Sequence, residues 1–176
     1  VFYFGYDQKA YTVEQIMMEI AQCLYNQDIP QGLTVSPAFS YFQSSEFTLQ
    51  TQQLTQDLRS KRHLLILDNL ESITGQELSI PNTLPEAEQE KFRIFLAELK
   101  DGRTFVLLGS RSEERWLDRA GSTGRAPLRK KDRYELAGLD TEAASRLAEH
   151  ILTEQVRETS IQKKYRKSEA FRELLK

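Results

Sequence analysis

Residues Leu64-Leu-Ile-Leu-Asp68 form a continuous apolar run that ends in a carboxylate. A short apolar run without alternation is typical of a strand that is buried on both faces of a parallel sheet. Similar runs occur before and after it, at Val1-Phe-Tyr-Phe-Gly-Tyr6 and at Thr104-Phe-Val-Leu-Leu-Gly-Ser110. The three runs therefore predict three strands.

The segments between the runs carry apolar residues at helical spacing. Thr12 and Gln15 have the spacing of a capping box in front of a predicted helix over 12–25, and a second helix is predicted over 46–61. Residues 26–45 contain proline, glycine and serine without a sustained period, which predicts an irregular connection.

Thr83 and Glu86 repeat the capping-box spacing before a third helix, which closes at Asp101-Gly102. Strands that alternate with helices imply right-handed crossovers. The predicted fold class is therefore α/β, with a three-layer parallel sheet that carries helices on both faces. In such a sheet, ligands bind at the carboxyl ends of the strands.

The C-terminal part of the sequence is less regular. Residues 119–133 carry six basic residues against one acid and predict a basic, flexible loop, and 134–136 predict a short strand. Asp140 is a predicted N-cap for the helix that follows it. A further helix is predicted from about 160 to 175.

Length and composition limit the class of protein. A chain of 176 residues fits one domain, with room for a small appendage. With 39% hydrophobic and 28% charged residues, it is neither a disordered chain nor a coiled coil. The 24 basic and 26 acidic residues give a net charge of −2, which argues against nucleic acid or a membrane as a partner.

Cysteine and histidine are too rare for an internal disulfide or a zinc site, since the chain has one Cys and two His far apart in sequence. Cys23 lies on the apolar side of its predicted helix and is interpreted as a small core residue. The single cysteine, the absence of a signal peptide and the absence of a long apolar run favour a cytoplasmic location.

Polar groups follow two of the apolar runs. Asp68 stands at a strand tip, where a carboxylate can hold Mg²⁺ beside bound phosphates in the arrangement called Walker B. Ser110 and Arg111 follow the next run, and a guanidinium there matches phosphate oxygens. Two alternatives stay open: Asp68 ends the strand and only accepts hydrogen bonds from the backbone of the turn, and Arg111 pairs at the surface with Glu113 or Glu114.

Three blocks have the order and approximate spacing seen in STAND-class P-loop ATPases, the NB-ARC and NACHT relatives of AAA+ proteins. The blocks are Leu64-Leu-Ile-Leu-Asp-Asn-Leu-Glu71, Phe105-Val-Leu-Leu-Gly-Ser-Arg111 and Tyr134-Glu-Leu-Ala-Gly-Leu-Asp-Thr-Glu-Ala-Ala144. The chain resembles this family over 1–176, and especially its bacterial, multidomain members. The resemblance implies a partial P-loop NTPase core over 1–136, with Walker B and sensor I, and the start of a helical lid over 137–176.

By this resemblance, Asp68 is the magnesium-associated acid, and Ser110 with Arg111 is the sensor I position that binds the cofactor, ATP or ADP with Mg²⁺. Many relatives carry a second acid after the aspartate. Here that position is Asn69, which cannot act as a base. Glu71 is the candidate to replace it, and a plain surface role for Glu71 stays open as the alternative. The predicted catalytic residues are therefore Asp68, Asn69 and Glu71, and slow hydrolysis would suit a switch.

The family's phosphate-binding loop (the Walker A motif), here called the phosphate cradle, is absent from the sequence. None of the eight glycines fits its pattern, G-x-x-x-x-G-K-[ST]. We expect the natural protein to continue upstream of Val1 with a strand, the cradle and a helix. We expect the Gly-x-Pro motif of the lid to follow residue 176. The chain as given is expected to bind ATP weakly or not at all.

The resemblance implies the nucleotide-binding switch module of a multidomain ATPase, in which ATP binding and hydrolysis drive signalling and self-association. Its partners would be nucleotide and the other domains of the parent chain. One alternative is a noncatalytic, NTPase-like interaction domain. Another is a nucleic-acid module that uses the basic residues of 119–133 together with Lys163, Lys164, Arg166 and Lys167.

Overall fold

The computed structural model describes residues 1–27, 29, 31–77, 79–120 and 124–155. Contacts within the chain divide it into two units, Val1–Arg133 and Tyr134–Lys176. The predicted helix over 160–175 and its four basic residues lie outside the described residues. The assignment of 1–136 to an NTPase core and 137–176 to a lid stays a prediction.

The first unit contains a parallel sheet of three strands, β1 (Phe2–Gly5), β2 (Leu64–Asp68) and β3 (Phe105–Leu108). The strands lie in the order β1-β2-β3, so β2 is the central strand. In its register, Gly5 aligns with Asp68 and Leu67 aligns with Leu108. The predicted α/β class and the parallel direction of the three strands are confirmed.

Among the described residues, the first unit has five α-helices, α1 (Val13–Tyr25), α2 (Pro37–Ser44), α3 (Phe47–Ser60), α4 (Glu71–Thr74) and α5 (Glu86–Leu99), and the second unit has α6 (Thr141–Gln155). Arg115–Asp118 and Lys130–Asp132 form single 3-10 turns. The predicted capping box of α1 is confirmed, because Thr12 and Gln15 each accept the other's backbone N–H. Asp140 caps α6 by accepting the N–H of Ala143.

Two helix predictions need correction. Residues 26–45 are not wholly irregular, because Ser36 caps α2 and Pro37 occupies its first turn, a combination that favours helix initiation. The helix α5 begins after Pro85, and no side chain caps it, so the predicted capping box of Thr83 does not form.

Two smaller predictions are also wrong. Residues 134–136 form no strand. Cys23 is exposed rather than part of the core, because the buried residues of α1 lie on a stripe that includes Ile16, Met17 and Ile20 but not Cys23.

The core lies between the sheet and a layer of helices formed by α1, α3 and α5, which contact one another. Phe4, Leu65 and Leu67 point from the strands into this layer and are buried. The helices contribute apolar residues at their own period: Ile16, Met17, Ile20, Leu54, Leu58, Phe92, Phe95 and Leu99.

The opposite face of the sheet differs from the prediction, because no helix covers it among the described residues. Phe105 and Leu107 on β3 are 66% and 49% exposed, and Tyr3 on β1, at the other side of the sheet, is also exposed. The strand order explains the difference. Both crossovers proceed in the same direction across the sheet, and right-handed crossovers then place their helices on the same face.

Among the residues that the structure describes, no helix combines the length and the apolar character needed to span a bilayer.

The two faces of the sheet should respond differently to the same substitution. Leu67 is fully buried, so Leu67→Ala should lower the free energy of unfolding by about 2–5 kcal/mol. Leu107→Ala, on the exposed face, should cost about 1 kcal/mol or less. Urea denaturation of both variants measures the difference, and similar costs would contradict the one-sided packing.

Candidate functional site

The carboxyl ends of β2 and β3 lie next to each other, since these two strands pair in parallel register. Asp68 is the last residue of β2, and Ser110 and Arg111 follow the end of β3. The predicted placement of these polar groups at one edge of the sheet is thus confirmed. Asn69 and Glu71 lie in the turn and in the short helix that follow β2.

Asp68 is held between two glycines. Gly5 aligns with it on β1, and Gly109 lies beside it at the end of β3, where a Cβ atom would overlap the Asp68 carboxylate. The Tyr3 hydroxyl donates a weak hydrogen bond of 3.4 Å to Asp68 Oδ2. Partial desolvation and the negative charges of Asp68 and Asp7 raise the pKa of Tyr3, which favours the neutral hydroxyl as the donor in this bond.

The chain turns sharply after Asp68. Asn69 adopts a left-handed conformation with φ of 58°, which asparagine tolerates better than most residues, and its N–H donates to Asp68 Oδ1 at 3.0 Å. Leu70 then donates its N–H to the carbonyl of Gly109 at 3.1 Å. These bonds join the turn after β2 to the end of β3.

The side chain of Glu71 links the turn after β2 to the end of β3 by hydrogen bonds. Its Oε1 accepts the Nε–H of Arg111 at 2.7 Å, and its Oε2 accepts the backbone N–H of Arg111 at 3.2 Å and the hydroxyl of Ser110 at 3.0 Å. The Glu71 side chain is only 3% exposed, whereas that of Arg111 is 68% exposed. Arg111 therefore pairs with Glu71, and not with either neighbour suggested by the sequence.

The ionisation of Glu71 depends on these donors. Burial favours the neutral carboxyl, but the hydrogen bonds from the side chain and backbone of Arg111, from the backbone of Glu71 itself and from Ser110 together outweigh it and lower the pKa of Glu71 below its ordinary value. Glu71 is thus a buried carboxylate whose charge is stabilised by the residues at the end of β3.

A second buried carboxylate, Glu114, completes the network. It accepts hydrogen bonds from Ser110 at 2.6 Å, from Ser112 at 2.5 Å and from the indole N–H of Trp116 at 2.6 Å. Trp116 is buried in the core. The Ser110 hydroxyl lies within hydrogen-bond distance of both buried carboxylates, but its single proton can be donated to only one of them at a time, and Glu114 is the nearer.

The donor set at Asp68 does not by itself form a metal site. Among the described residues, no group of three or more His, Cys, Asp or Glu side chains could hold a metal ion. Mg²⁺, however, is commonly held by only one or two carboxylates together with substrate phosphates and water. A single aspartate at a strand end fits that mode, and it would bind the ion only with a phosphate ligand present.

The basic loop is partly neutralised within its own unit. Arg129 pairs with Asp132 at 2.9 Å, and Arg133 pairs with Asp118 at 2.7 Å. Two of its six basic side chains thus already have acidic partners, which weakens the case for a nucleic-acid surface.

Sequence reasoning missed three features of the site: the burial of Glu71, the role of Glu114, and the packing of Gly109 against Asp68. The first two carry no sequence signal, because an isolated glutamate is usually exposed. Gly109 does carry one, since a glycine directly after an apolar strand indicates a close approach to a neighbouring group.

Replacement of Gly109 should disturb Asp68. Gly109→Ala should lower the free energy of unfolding by about 1–3 kcal/mol, because the new methyl group must displace the Asp68 carboxylate or the strand end. Gly138→Ala is the matched control, since no atom lies within 4 Å of a Cβ there. Thermal unfolding measures both changes, and equal stability of the two variants would contradict the packing.

The stability provided by Glu71 should depend on pH. Its pKa in the fold lies below the ordinary value of 4.5, so its contribution is present above pH 4.5 and is lost as the pH falls through the lowered pKa. Glu71→Gln should destabilise the fold by about 1–2 kcal/mol at pH 7, and by progressively less in acid. Urea denaturation at several pH values measures this, and a pH-independent difference would contradict it.

Comparison of the chain with protein-family models, with curated proteins and with solved structures gives no match. The resemblance to STAND-class ATPases therefore rests on the sequence blocks alone.

Proposed function

We propose that this chain is part of the nucleotide-binding switch module of a STAND-type ATPase. The observation that carries the proposal is the pairing of β2 with β3, which brings the strand end at Asp68 next to the strand end that Ser110 and Arg111 follow. A carboxylate and a guanidinium at neighbouring parallel strand ends are the groups that a magnesium-bound triphosphate requires. The order of the three sequence blocks supports the same assignment to STAND-type ATPases.

In this proposal Asp68 holds Mg²⁺ together with phosphate oxygens, and Ser110 and Arg111 contact the terminal phosphate of ATP. The ion would supply positive charge that neutralises the phosphates. Asn69 occupies the position of the second acid and cannot take a proton. Glu71 is the predicted substitute, although both of its oxygens already accept hydrogen bonds, which is consistent with slow hydrolysis.

None of the glycines of residues 1–176 fits the phosphate-binding motif, so in this proposal that motif is supplied by another part of the parent protein. Coupling to signalling and self-association would follow from differences in contact with ATP and ADP. Other domains of the parent chain would then be its partners.

A noncatalytic interaction domain is the second candidate. The exposed apolar residues on the open face of the sheet favour it, since exposed apolar patches often mark surfaces for other proteins. Absence of nucleotide binding by a polypeptide that includes the upstream segment would favour this candidate.

Nucleotide binding by the extended polypeptide tests the leading proposal. Asp68→Ala and Arg111→Ala should each weaken Mg²⁺-dependent ATP binding roughly ten- to a hundredfold, because each removes a charge-assisted contact. Arg115→Ala is the matched control, since Arg115 pairs at the surface with Glu113. Calorimetric titration gives the affinities, and an ATP affinity unchanged by both site substitutions would overturn the site assignment.

A further inference from the structure

The carboxylate of Glu71 binds both the backbone and the side chain of Arg111. Glu71 Oε2 accepts the backbone N–H of Arg111 at 3.2 Å, while Oε1 accepts its Nε–H at 2.7 Å. The two bonds fix the direction in which the long arginine side chain leaves the strand end.

We infer that Glu71 is a latch on Arg111, and that a phosphate group bound at the carboxyl ends of β2 and β3 competes with Glu71 for the guanidinium. The inference rests on the proposed function in taking phosphate as the competitor. It assigns Glu71 the task of positioning and restraining Arg111.

The exposure of the two partners determines which one can move. The Glu71 side chain is 3% exposed, whereas the Arg111 side chain is 68% exposed. Arg111 can therefore exchange its present contacts for a ligand, while Glu71 stays in place.

If the Arg111 guanidinium moved to a ligand, Glu71 would still have hydrogen-bond donors. The backbone N–H of Arg111, at 3.2 Å, would still donate to its Oε2, and the Ser110 hydroxyl, 3.0 Å from Oε2, can turn its single proton from Glu114 to Glu71. A buried carboxylate that keeps these donors avoids most of the penalty of an unpaired charge. The side-chain contact is thus the part of the network that can open reversibly.

The strength of the latch follows from its exposure. An ion pair with one exposed partner is weak. Phosphate can accept two parallel hydrogen bonds from an arginine side chain, and it can therefore displace the Glu71 carboxylate from Arg111. Removal of the negative charge of Glu71 should therefore strengthen binding of a phosphate ligand only modestly, by roughly two- to fivefold.

The first experiment uses the 176-residue chain and inorganic pyrophosphate as the probe. Pyrophosphate, added at constant ionic strength, should shift the NMR signal of the Arg111 Nε–H in the unsubstituted chain. Glu71→Gln, which keeps the shape of the side chain, should lower the half-saturating concentration roughly two- to fivefold. Glu113→Gln removes the same charge from an exposed neighbour paired with Arg115 and should leave that concentration unchanged.

The second experiment repeats the comparison with Mg²⁺–ATP and the upstream-extended polypeptide. Tighter ATP binding by Glu71→Gln, and loss of that gain in the double variant with Arg111→Ala, would support the latch. Equal or weaker binding by Glu71→Gln, or no response of the Arg111 signal to pyrophosphate, would overturn it. Failure of the extended polypeptide to bind ATP, with the pyrophosphate response intact, would instead overturn the proposed function alone.

Discussion

The central strand β2 is hydrogen-bonded on both sides, to β1 and to β3, and the register of these two pairings determines which groups meet at the end of the sheet. Leu65 and Leu67 bury one face of this strand against the helices. Because side chains alternate along a strand, the same register places Asp68 on the other face, beside Gly109. A slip of one residue would exchange the two faces and remove both the core and the site.

The three strands and most of the helices could be predicted from sequence because each gives a local signal. The apolar run before Asp68 and the capping box of Thr12 depend only on neighbours in the chain. The capping box predicted at Thr83 failed for a local reason as well, since Pro85 starts α5 without a side-chain cap. Helix α2 was missed although Ser36 and Pro37 are adequate start signals, because the surrounding prolines and serines obscured them.

The interior of the site could not be predicted, because it depends on contacts between distant residues. Glu71 and Arg111 are 40 positions apart and meet only because β2 and β3 are adjacent. The coverage of the sheet was mispredicted for a similar reason. Alternating strands and helices do not specify on which face the helices lie, and that depends on the order of strands in the sheet.

The open side of β3 has a consequence for the behaviour of the chain in concentrated solution. Among the described residues β3 has a strand partner on one side only, and Phe105 and Leu107 project from it into solvent. An apolar edge strand is a template on which extended segments of other molecules can add. Slow precipitation on storage, or binding by chaperones, would therefore depend on this edge strand. Neither would require the helix-covered core to unfold.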